Sequence, residues 1–185
     1  MDSNSSSIKF NVANIKLNTK TEGPYSRCCI WFQGCDIHCP GCCNFDLQKL
    51  APKHIVGEDK LLEIVKEAKN KYGIEGITLS GGEPSIQKGL TDFNKKVREL
   101  GLGIIMFSGR YKNELDSNLV SSVDLLIDGP YIDSKHDFKR LLLGSTNKRL
   151  NFITDRYKDK ADYFENEVAL EEINIEDGYL FVNGD

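Results

Sequence analysis

Apolar residues recur at helical spacing in two stretches of the chain. From Glu58 to Tyr72, apolar side chains share one face, and lysine and glutamate residues cover the other. A second apolar stripe with the same period runs from Lys88 to Leu100. Gly73 and Gly101 follow these stretches directly, as glycines commonly do at helix ends. The pattern therefore predicts two amphipathic helices, each ending at a glycine.

Short apolar runs alternate with these helices and predict strands at residues 27–32, 76–80, 103–107 and 123–127. Residues 8–17 alternate only partly and predict another strand or a hairpin arm, and residues 112–120 are weakly helical. Because strands and helices alternate at this spacing, the sequence predicts an α/β fold with a mostly parallel sheet.

The rest of the chain gives weaker patterns. Residues 1–7 are rich in serine and asparagine and predict a disordered tail. Residues 139–150 fit no element clearly, and residues 157–172 are charged and helical in pattern. Residues 173–182 predict a hairpin about Asp177-Gly178, with the role of the C-terminal segment 173–185 left open. With no linker or repeat in view, we expect one domain over residues 1–185.

Composition narrows the classes of function. The net charge of −4 and the pI of about 5.5 give no indication of a basic nucleic-acid surface. The first residues carry no signal-peptide pattern, and no apolar run is long enough to span a membrane. We therefore expect a cytoplasmic protein with neither nucleic acid nor membrane as a partner. Disulfides are rare in that compartment, so the six cysteines indicate metal or redox chemistry.

Three cysteines, Cys35, Cys39 and Cys42, follow the first buried strand in a C-x3-C-x2-C spacing. Thiolates select zinc, copper(I) or iron–sulfur clusters. Structural zinc takes four protein ligands, and His38, Cys43 or Cys29 are candidates for the fourth. Three cysteines alone suit a 4Fe-4S cluster with one iron open to a substrate or cofactor. The spacing by itself leaves both metals possible.

A second motif, Gly81-Gly82-Glu83-Pro84, ends the next predicted strand. Taken alone, such a segment is most often a turn. Glycines at the ligand edge of a parallel sheet also let the backbone approach a bound molecule closely, and a nearby carboxylate suits a cationic amine. The pair of motifs on neighbouring strand ends favours one shared site.

Together the motifs resemble the radical S-adenosylmethionine superfamily over roughly residues 20–150. The resemblance is closest to the activating enzymes of anaerobic ribonucleotide reductase. The segments that carry it, in chain order, are Gly23-Pro24-x-x-Arg27, Cys39-Pro40-Gly41-Cys42 with Asn44, Ser80 to Pro84, Phe107 to Tyr111, Asp124 to Tyr131 and Gly144-Ser145-x-Asn147.

The resemblance implies a partial (β/α) TIM-like barrel. It implies that Cys35, Cys39 and Cys42 ligate a 4Fe-4S cluster whose open iron binds S-adenosylmethionine. It places Gly81, Gly82 and Glu83 at the methionine end of that cofactor, Ser108 and Gly109 beside its ribose or carboxylate, and Asp128 near the substrate mouth. The partners it implies are a glycyl radical enzyme, the anaerobic ribonucleotide reductase, and a flavodoxin- or ferredoxin-type reductant.

The sequence departs from this family at Cys43, where an aromatic residue is usual, and in its last ~30 residues, which match nothing in the family. Gly41 replaces the aromatic residue of most superfamily members but agrees with the activating enzymes. These departures put the substrate in doubt more than the chemistry, and three alternatives stay open. They are a radical enzyme acting on a peptide, nucleotide or other small molecule, a non-catalytic metal- or cluster-binding module, and an electron carrier with Cys43 or Cys29 as fourth ligand.

Several other residues have ordinary interpretations. Cys28 and Cys29 lie on a predicted strand, where buried free thiols are common. Trp31 is expected in the core, and His38 near the ligands or on the surface rather than as a ligand. Three arginines, Arg27, Arg110 and Arg149, are expected on the surface, with binding of a partner as the alternative.

Overall fold

The structure is a computed structural model that describes residues 8–165, 171–176 and 179–184. In these residues it contains strands β1 (Lys9–Thr19), β2 (Arg27–Phe32), β3 (His54–Gly57), β4 (Gly76–Gly81), β5 (Gly103–Phe107), β6 (Leu125–Asp128), β7 (Arg149–Phe152), β8 (Glu171–Glu176) and β9 (Tyr179–Gly184). The α-helices are α1 (Glu58–Tyr72), α2 (Leu90–Glu99), α3 (Ser117–Ser121) and α4 (Ala161–Glu165). None of the described helices is long and apolar enough to cross a membrane.

Seven strands form one mixed sheet in the order β3-β1-β2-β4-β5-β6-β7. The four central strands, β2, β4, β5 and β6, are parallel to one another. The outer strands pair antiparallel, β1 with both β2 and β3, and β7 with β6. The α/β class is confirmed, and its parallel part lies at the centre of the sheet.

The expected barrel is not confirmed, because β3 and β7 are opposite edges of an open sheet among the described strands. Both edge strands were missed by the sequence analysis. Each is only four residues long and begins with a polar or charged residue, so its apolar pattern is too short to indicate a strand. Because such strands are held by one neighbour, their sequences need no continuous apolar pattern.

Both predicted amphipathic helices are confirmed. Helix α1 has the predicted bounds, and Gly73 follows it in the left-handed conformation with φ of 63°. Its N–H donates to the Lys69 carbonyl at 2.9 Å, which satisfies an unpaired end of the helix. Helix α2 begins at Leu90, two residues later than predicted, because Gly89 has a φ of 83° that helical residues do not adopt.

The central strands bury side chains on both faces. On one face, alternate residues such as Ile104 and Met106 pack with Leu61 and Phe93 of the helices in the larger core. On the other face, Ile105 belongs to a second core, whose members are Ile105, Leu125, Ile127, Leu143, Tyr157 and Phe164. The second core has no helix from the βα units. Residues from the C-terminal part of the chain cover this face instead.

Arg27 is fully buried at the amino end of β2, which corrects the expectation of a surface residue. Its guanidinium donates to Thr78 Oγ1 at 2.8 Å and to the Tyr157 hydroxyl at 2.9 Å. It also pairs with Glu75 at 3.2 Å and lies 5.1 Å from the centre of the Tyr157 ring. We call Arg27, Glu75, Thr78 and Tyr157 the Arg27 cluster.

The segment after β7 differs in part from its prediction. Of the range predicted as helix, Ala161–Glu165 is α-helical, a 3₁₀ turn at Lys158–Lys160 precedes it, and a strand already begins at Glu171. Strands β8 and β9 pair antiparallel, as the predicted hairpin requires. The predicted turn at residues 177–178 and the predicted tail at residues 1–7 lie outside the described residues.

The C-terminal hairpin is tied to β1 through Glu172. The Glu172 carboxylate accepts hydrogen bonds from Thr19 Oγ1 and from the Lys20 N–H, both at 2.7 Å. Lys16 adds an ion pair at 3.6 Å. This part of the C-terminal segment therefore packs against the end of the first strand.

Candidate functional site

The carboxyl ends of the parallel strands meet at one edge of the sheet and surround a cavity of about 1530 Å³. Eight of the nine predicted site residues line this cavity; they are Cys35, Cys39, Cys42, Gly81, Gly82, Glu83, Ser108 and Gly109. Asp128 is not among the lining residues. The cavity also reaches Trp31, a buried residue, as its sequence predicted. The two motifs on neighbouring strand ends thus share one space.

The cysteine loop, residues 34–44, is held against the segment that follows it. The Gly34 N–H donates to the Leu47 carbonyl at 2.8 Å, and the Cys35 N–H donates to the Gln48 carbonyl at 3.0 Å. Within the loop, the Cys42 N–H donates to the Cys39 carbonyl at 3.3 Å and closes a turn. These backbone bonds fix the chain direction on both sides of the three thiols.

All described cysteines are free thiols, but their surroundings differ. Cys35 is buried, Cys39 and Cys42 are half-buried, and Cys43 is exposed. Cys28 lies in the larger core, and Cys29 packs in a small cluster on the cavity side. Burial raises the pKa of the Cys28 thiol to about 12, so the expectation of buried free thiols on β2 is confirmed.

The thiols of the cysteine loop are affected by different groups. A hydrogen bond from the Cys43 thiol is the main reason that the pKa of Cys42 is lowered to about 5, and the Asn44 N–H contributes to the same shift. Burial raises the pKa of Cys35, and the N–H groups of His38 and Ile37 partly oppose this rise. The lowered pKa of Cys42 favours its thiolate, the form that binds iron.

The donor set fits an iron–sulfur cluster in its chemistry, because three soft thiols from one loop line one cavity. Within the described ranges, no group of three or more His, Cys, Asp or Glu side chains is arranged to hold a single metal ion. His38 is exposed and reaches Gln48 Oε1 at 3.5 Å, so it is placed on the surface.

The two glycines of Gly81-Gly82-Glu83 are required by the neighbouring backbone. A Cβ on Gly81, whose φ is 103°, would overlap the backbone N and O of Phe32, and a Cβ on Gly82 would overlap the Gly34 carbonyl. The Gly82 N–H donates to the Phe32 carbonyl and the Glu83 N–H to the Gly34 carbonyl, both at 2.8 Å. The backbone of the motif is therefore hydrogen-bonded directly to the start of the cysteine loop.

Glu83 is 1% exposed, and its carboxylate is bonded both within its own segment and to the end of β5. Oε1 accepts from the Ser85 N–H at 3.0 Å and from Ser108 Oγ at 2.9 Å. Oε2 accepts from the Gly109 N–H at 2.8 Å. Sequence reasoning expected this carboxylate to face an amine, and it missed the three protein donors. Glu83 connects the end of β4 with the end of β5.

Arg110 extends this network to the cysteine loop. Its guanidinium lies 2.6 Å from Asp36 Oδ2 and donates to Ser85 Oγ at 3.2 Å. Its backbone carbonyl accepts from the Gly129 N–H at 3.2 Å at the end of β6. The hydrogen bond from Arg110 lowers the pKa of Asp36. One arginine, expected on the surface from sequence, thus contacts segments at all four parallel strand ends.

Asp128 is fully buried and serves a different set of contacts. Arg149 donates two hydrogen bonds to its carboxylate, at 2.9 and 2.7 Å, and the Lys112 N–H donates a third at 2.6 Å. Arg149 also lies 4.6 Å from the centre of the Tyr111 ring. Asp128 therefore anchors the end of β6 beside the cavity, and a cofactor contact by this residue stays a prediction.

The segment between β6 and β7, which includes most of the unassigned residues 139–150, lines the cavity. Gly41 has a φ of 75°, and a Cβ there would lie 3.1 Å from Asp133 Oδ1 and 3.2 Å from Tyr131 Cε1. Asn147 Nδ2 donates a hydrogen bond to the Pro130 carbonyl at 2.8 Å. The residues of this segment that line the cavity are Tyr131, residues 136–144 and Lys148.

The site geometry agrees with what the chain resembles among known proteins. The chain belongs to the family of 4Fe-4S single cluster domains, whose family model matches residues 21–151. That range agrees with the extent of the resemblance inferred from the motifs. A 4Fe-4S cluster is therefore confirmed over zinc as the metal cofactor, while the identity of its ligands stays a prediction.

The curated relatives are activating proteins. The anaerobic ribonucleoside-triphosphate reductase-activating protein of Escherichia coli strain K12 is 29% identical over 137 residues, which cover 68% of this chain and 88% of the relative. The protein of the same name from Vibrio cholerae is 29% identical over 143 residues, covering 71% and 91%. The pyruvate formate-lyase-activating enzyme of Clostridium pasteurianum is 28% identical over 118 residues, covering 62% and 48%.

One solved structure shows a weaker likeness. The crystal structure of QueE from Escherichia coli covers 65% of this chain and 70% of its own, with a TM-score of 0.46 and 13% identity. This overlap is too small to assign a fold or a function.

Proposed function

We propose that this chain is a radical S-adenosylmethionine enzyme that activates an anaerobic ribonucleotide reductase. The reaction would remove a hydrogen atom from a glycine of the reductase and leave a glycyl radical. The observation that carries the proposal is the shared cavity, which joins three cluster-type cysteines to a Gly-Gly-Glu segment. Relatives named as activating proteins of this reductase support the choice of substrate.

We propose Cys35, Cys39 and Cys42 as the ligands of the cluster. A reduced 4Fe-4S cluster held by these residues would supply one electron for the reductive cleavage of S-adenosylmethionine, the chemistry that yields methionine and 5′-deoxyadenosine. Gly81 and Gly82 would lie along the methionine end, because both line the cavity directly beside the cysteine loop.

Glu83 would act mainly by positioning the end of β5. Its carboxylate accepts from three protein donors, so it holds Ser108 and Gly109 at fixed places on the cavity wall. Oε2 has one bond to the protein and can accept a further bond from a bound ammonium. Arg110 would keep the cysteine loop in register with these residues through Asp36.

Residues 136–144, between β6 and β7, would limit access to the cavity. These residues line the cavity, and Phe138 among them is 84% exposed. A radical must be kept from water and stray hydrogen donors, and a cover over the cavity serves this purpose. We propose that the open sheet is one side of a partial (β/α) barrel of the radical S-adenosylmethionine type, which leaves room for a loop of the reductase.

The reductant and the compartment are parts of the same proposal. A flavodoxin- or ferredoxin-type protein would supply the electron, since such donors reach low potentials. The protein would act in the cytoplasm, where free thiols persist.

The first experiment is anaerobic. The protein is reconstituted with iron and sulfide and reduced, and its electron paramagnetic resonance spectrum is recorded with and without S-adenosylmethionine while 5′-deoxyadenosine is assayed. We expect a 4Fe-4S signal that changes on addition, together with 5′-deoxyadenosine. A cluster indifferent to S-adenosylmethionine would instead support a binding module or an electron carrier.

The second experiment adds the anaerobic ribonucleotide reductase from the same organism. We expect a glycyl radical signal that requires all components, and its loss in a reductase whose radical-site glycine is replaced by alanine. Formation of 5′-deoxyadenosine without a glycyl radical would point to a peptide, nucleotide or other small molecule as the substrate.

A further inference from the structure

Lys148 is a cation in the cavity that the proposed reaction does not use. Its side chain is partly buried, and Nζ donates to the Gly129 carbonyl at 2.7 Å. Among the described residues, no carboxylate lies within ion-pair distance of it. An ammonium has three N–H donors, and a charge removed from water without a counter-charge is costly. The groups around Lys148 must therefore explain why a charged side chain is kept in this cavity.

The surroundings of Lys148 are the residues of the cysteine loop. Burial lowers the pKa of Lys148, while the charges of Cys39, Glu83, Cys43 and Cys42 oppose this. Lys148 in turn is one of the groups that lower the pKa of Cys42. The ammonium, Cys39, Cys42 and Glu83 all line one cavity. The ammonium thus shares the cavity with the thiols of the cysteine loop and, among the described residues, has no carboxylate partner of its own.

A 4Fe-4S cluster held by three thiolates carries net negative charge, and reduction makes that charge more negative. A fixed cation nearby favours the reduced form, because net charge and local electrostatics set the potential of such clusters. The bond to the Gly129 carbonyl holds Nζ at the end of β6, so the charge cannot turn freely to solvent.

We propose that Lys148 is a positioning residue that raises the reduction potential of the cluster by fixing a positive charge beside Cys39 and Cys42. The proposal rests on the iron–sulfur assignment and on the proposed cluster ligands. It does not require the reductase as substrate. In the reduction concerned, one electron passes from an external low-potential donor to the cluster, and no bond is formed or broken.

The test measures the midpoint potential of the reconstituted protein by anaerobic dithionite titration, without S-adenosylmethionine or reductase. Lys148→Gln removes the charge but keeps a hydrogen-bond donor for the Gly129 carbonyl. Lys148→Arg keeps the charge. Lys139→Gln is the matched control, because Lys139 lines the same cavity but is exposed to screening by solvent.

We expect Lys148→Gln to lower the ratio of reduced to oxidised cluster about tenfold at a fixed potential, a shift of about 59 mV for one electron. Lys148→Arg should restore most of this ratio, and Lys139→Gln should change it little. An unchanged potential in Lys148→Gln with full iron content would refute the proposal.

Two further readouts keep the test decisive. Equilibrium dialysis with S-adenosylmethionine separates the roles, since weaker binding at an unchanged potential would make Lys148 a cofactor ligand and overturn the proposal. Iron content covers the case in which Lys148→Gln fails to hold the cluster. Retention of iron by Lys148→Arg alone would support the electrostatic role, whereas equal loss in both variants would show a packing role and contradict it.

Discussion

The two ends of the parallel strands use the same residue types for opposite purposes. At the amino end, a Cβ on Gly76 would overlap the Gly103 carbonyl and the side chains of Tyr157 and Arg27, and a Cβ on Gly103 would overlap the side chains of Tyr157 and Arg156. Glycine there makes room chiefly for the protein's own side chains. At the carboxyl end, Gly81 and Gly82 make room for the neighbouring backbone and border a cavity.

The charged residues differ in the same way. Arg27 is fully buried, and Thr78, Tyr157 and Glu75 occupy its donors. Arg110, at the opposite end, is partly exposed and joins loops rather than filling a core. The comparison teaches that one end of the sheet is built for stability and the other to hold a ligand.

Replacing the buried arginine should destabilise the fold most. Arg27→Met leaves Glu75 and Tyr157 without their buried partner, and we expect a loss of about 4 kcal/mol in the free energy of unfolding. Arg156→Met is the matched control, because Arg156 pairs with the same Glu75 at 2.6 Å but is 37% exposed. It should cost about 0.5 kcal/mol. Urea denaturation measures both, and equal losses would contradict a specialised amino end.

A methyl group at the carboxyl end should displace the backbone. In Gly82→Ala, the new Cβ meets the Gly34 carbonyl, and we expect a loss of about 3 kcal/mol together with poor retention of iron. Gly57→Ala serves as control, since a Cβ there meets no atom within 4 Å. Denaturation and iron analysis of the reconstituted protein test the pair. Normal iron content in Gly82→Ala would show that the cysteine loop does not depend on this contact.

Glu83→Gln should disturb the site more than its small change in size suggests. A glutamine amide places its NH₂ group against one of three donors, which leaves buried polar groups unpaired at a cost of about 2 kcal/mol. We expect weaker binding of S-adenosylmethionine, measured by equilibrium dialysis. Glu63→Gln, an exposed change on α1, is the control. Unchanged binding and stability would mean that the Glu83 network does not shape the cavity.

The Asp36–Arg110 pair should give the smallest effect. Both groups are partly exposed, so a double-mutant cycle with Asp36→Asn and Arg110→Met should give a coupling of about 0.5 kcal/mol at low salt. Arg110 lowers the pKa of Asp36 below its ordinary value of 3.8. The coupling is therefore fully present above that value and disappears as the pH falls through the lowered pKa.

Denaturation at several pH values tests this sign. The coupling should stay constant from pH 8 to pH 5 and decrease only in more acidic solution. A coupling that already falls between pH 8 and pH 6 would assign it to another titrating group.

The sequence was sufficient for the elements that bury continuous apolar faces. Helix α1, strand β2 and strand β5 have their predicted bounds, because their apolar spacing and their glycines leave few alternatives. Strands β3 and β7 were missed, since an edge strand takes its stability from one neighbour and needs no pattern of its own. Strand β6 begins two residues later than predicted.

At the site, local spacing brought the correct residues together but could not show their bonds. The three donors to Glu83 come from Ser85, Ser108 and Gly109, and two of these lie about 25 residues away. The partners of Arg27 include Tyr157, at a sequence separation of 130. Such contacts depend on tertiary packing, and no pattern within one segment encodes them.

The carboxylate of Glu83, which accepts from three donors, affects which substitutions can occur together in related proteins. Because this one side chain satisfies a hydroxyl and two backbone N–H groups, a change at position 83 leaves Ser85 and, at the end of β5, Ser108 and Gly109 without an acceptor. Substitutions in these segments should be inherited together rather than singly. Related proteins in which Ser108 is replaced should more often have Glu83 replaced as well.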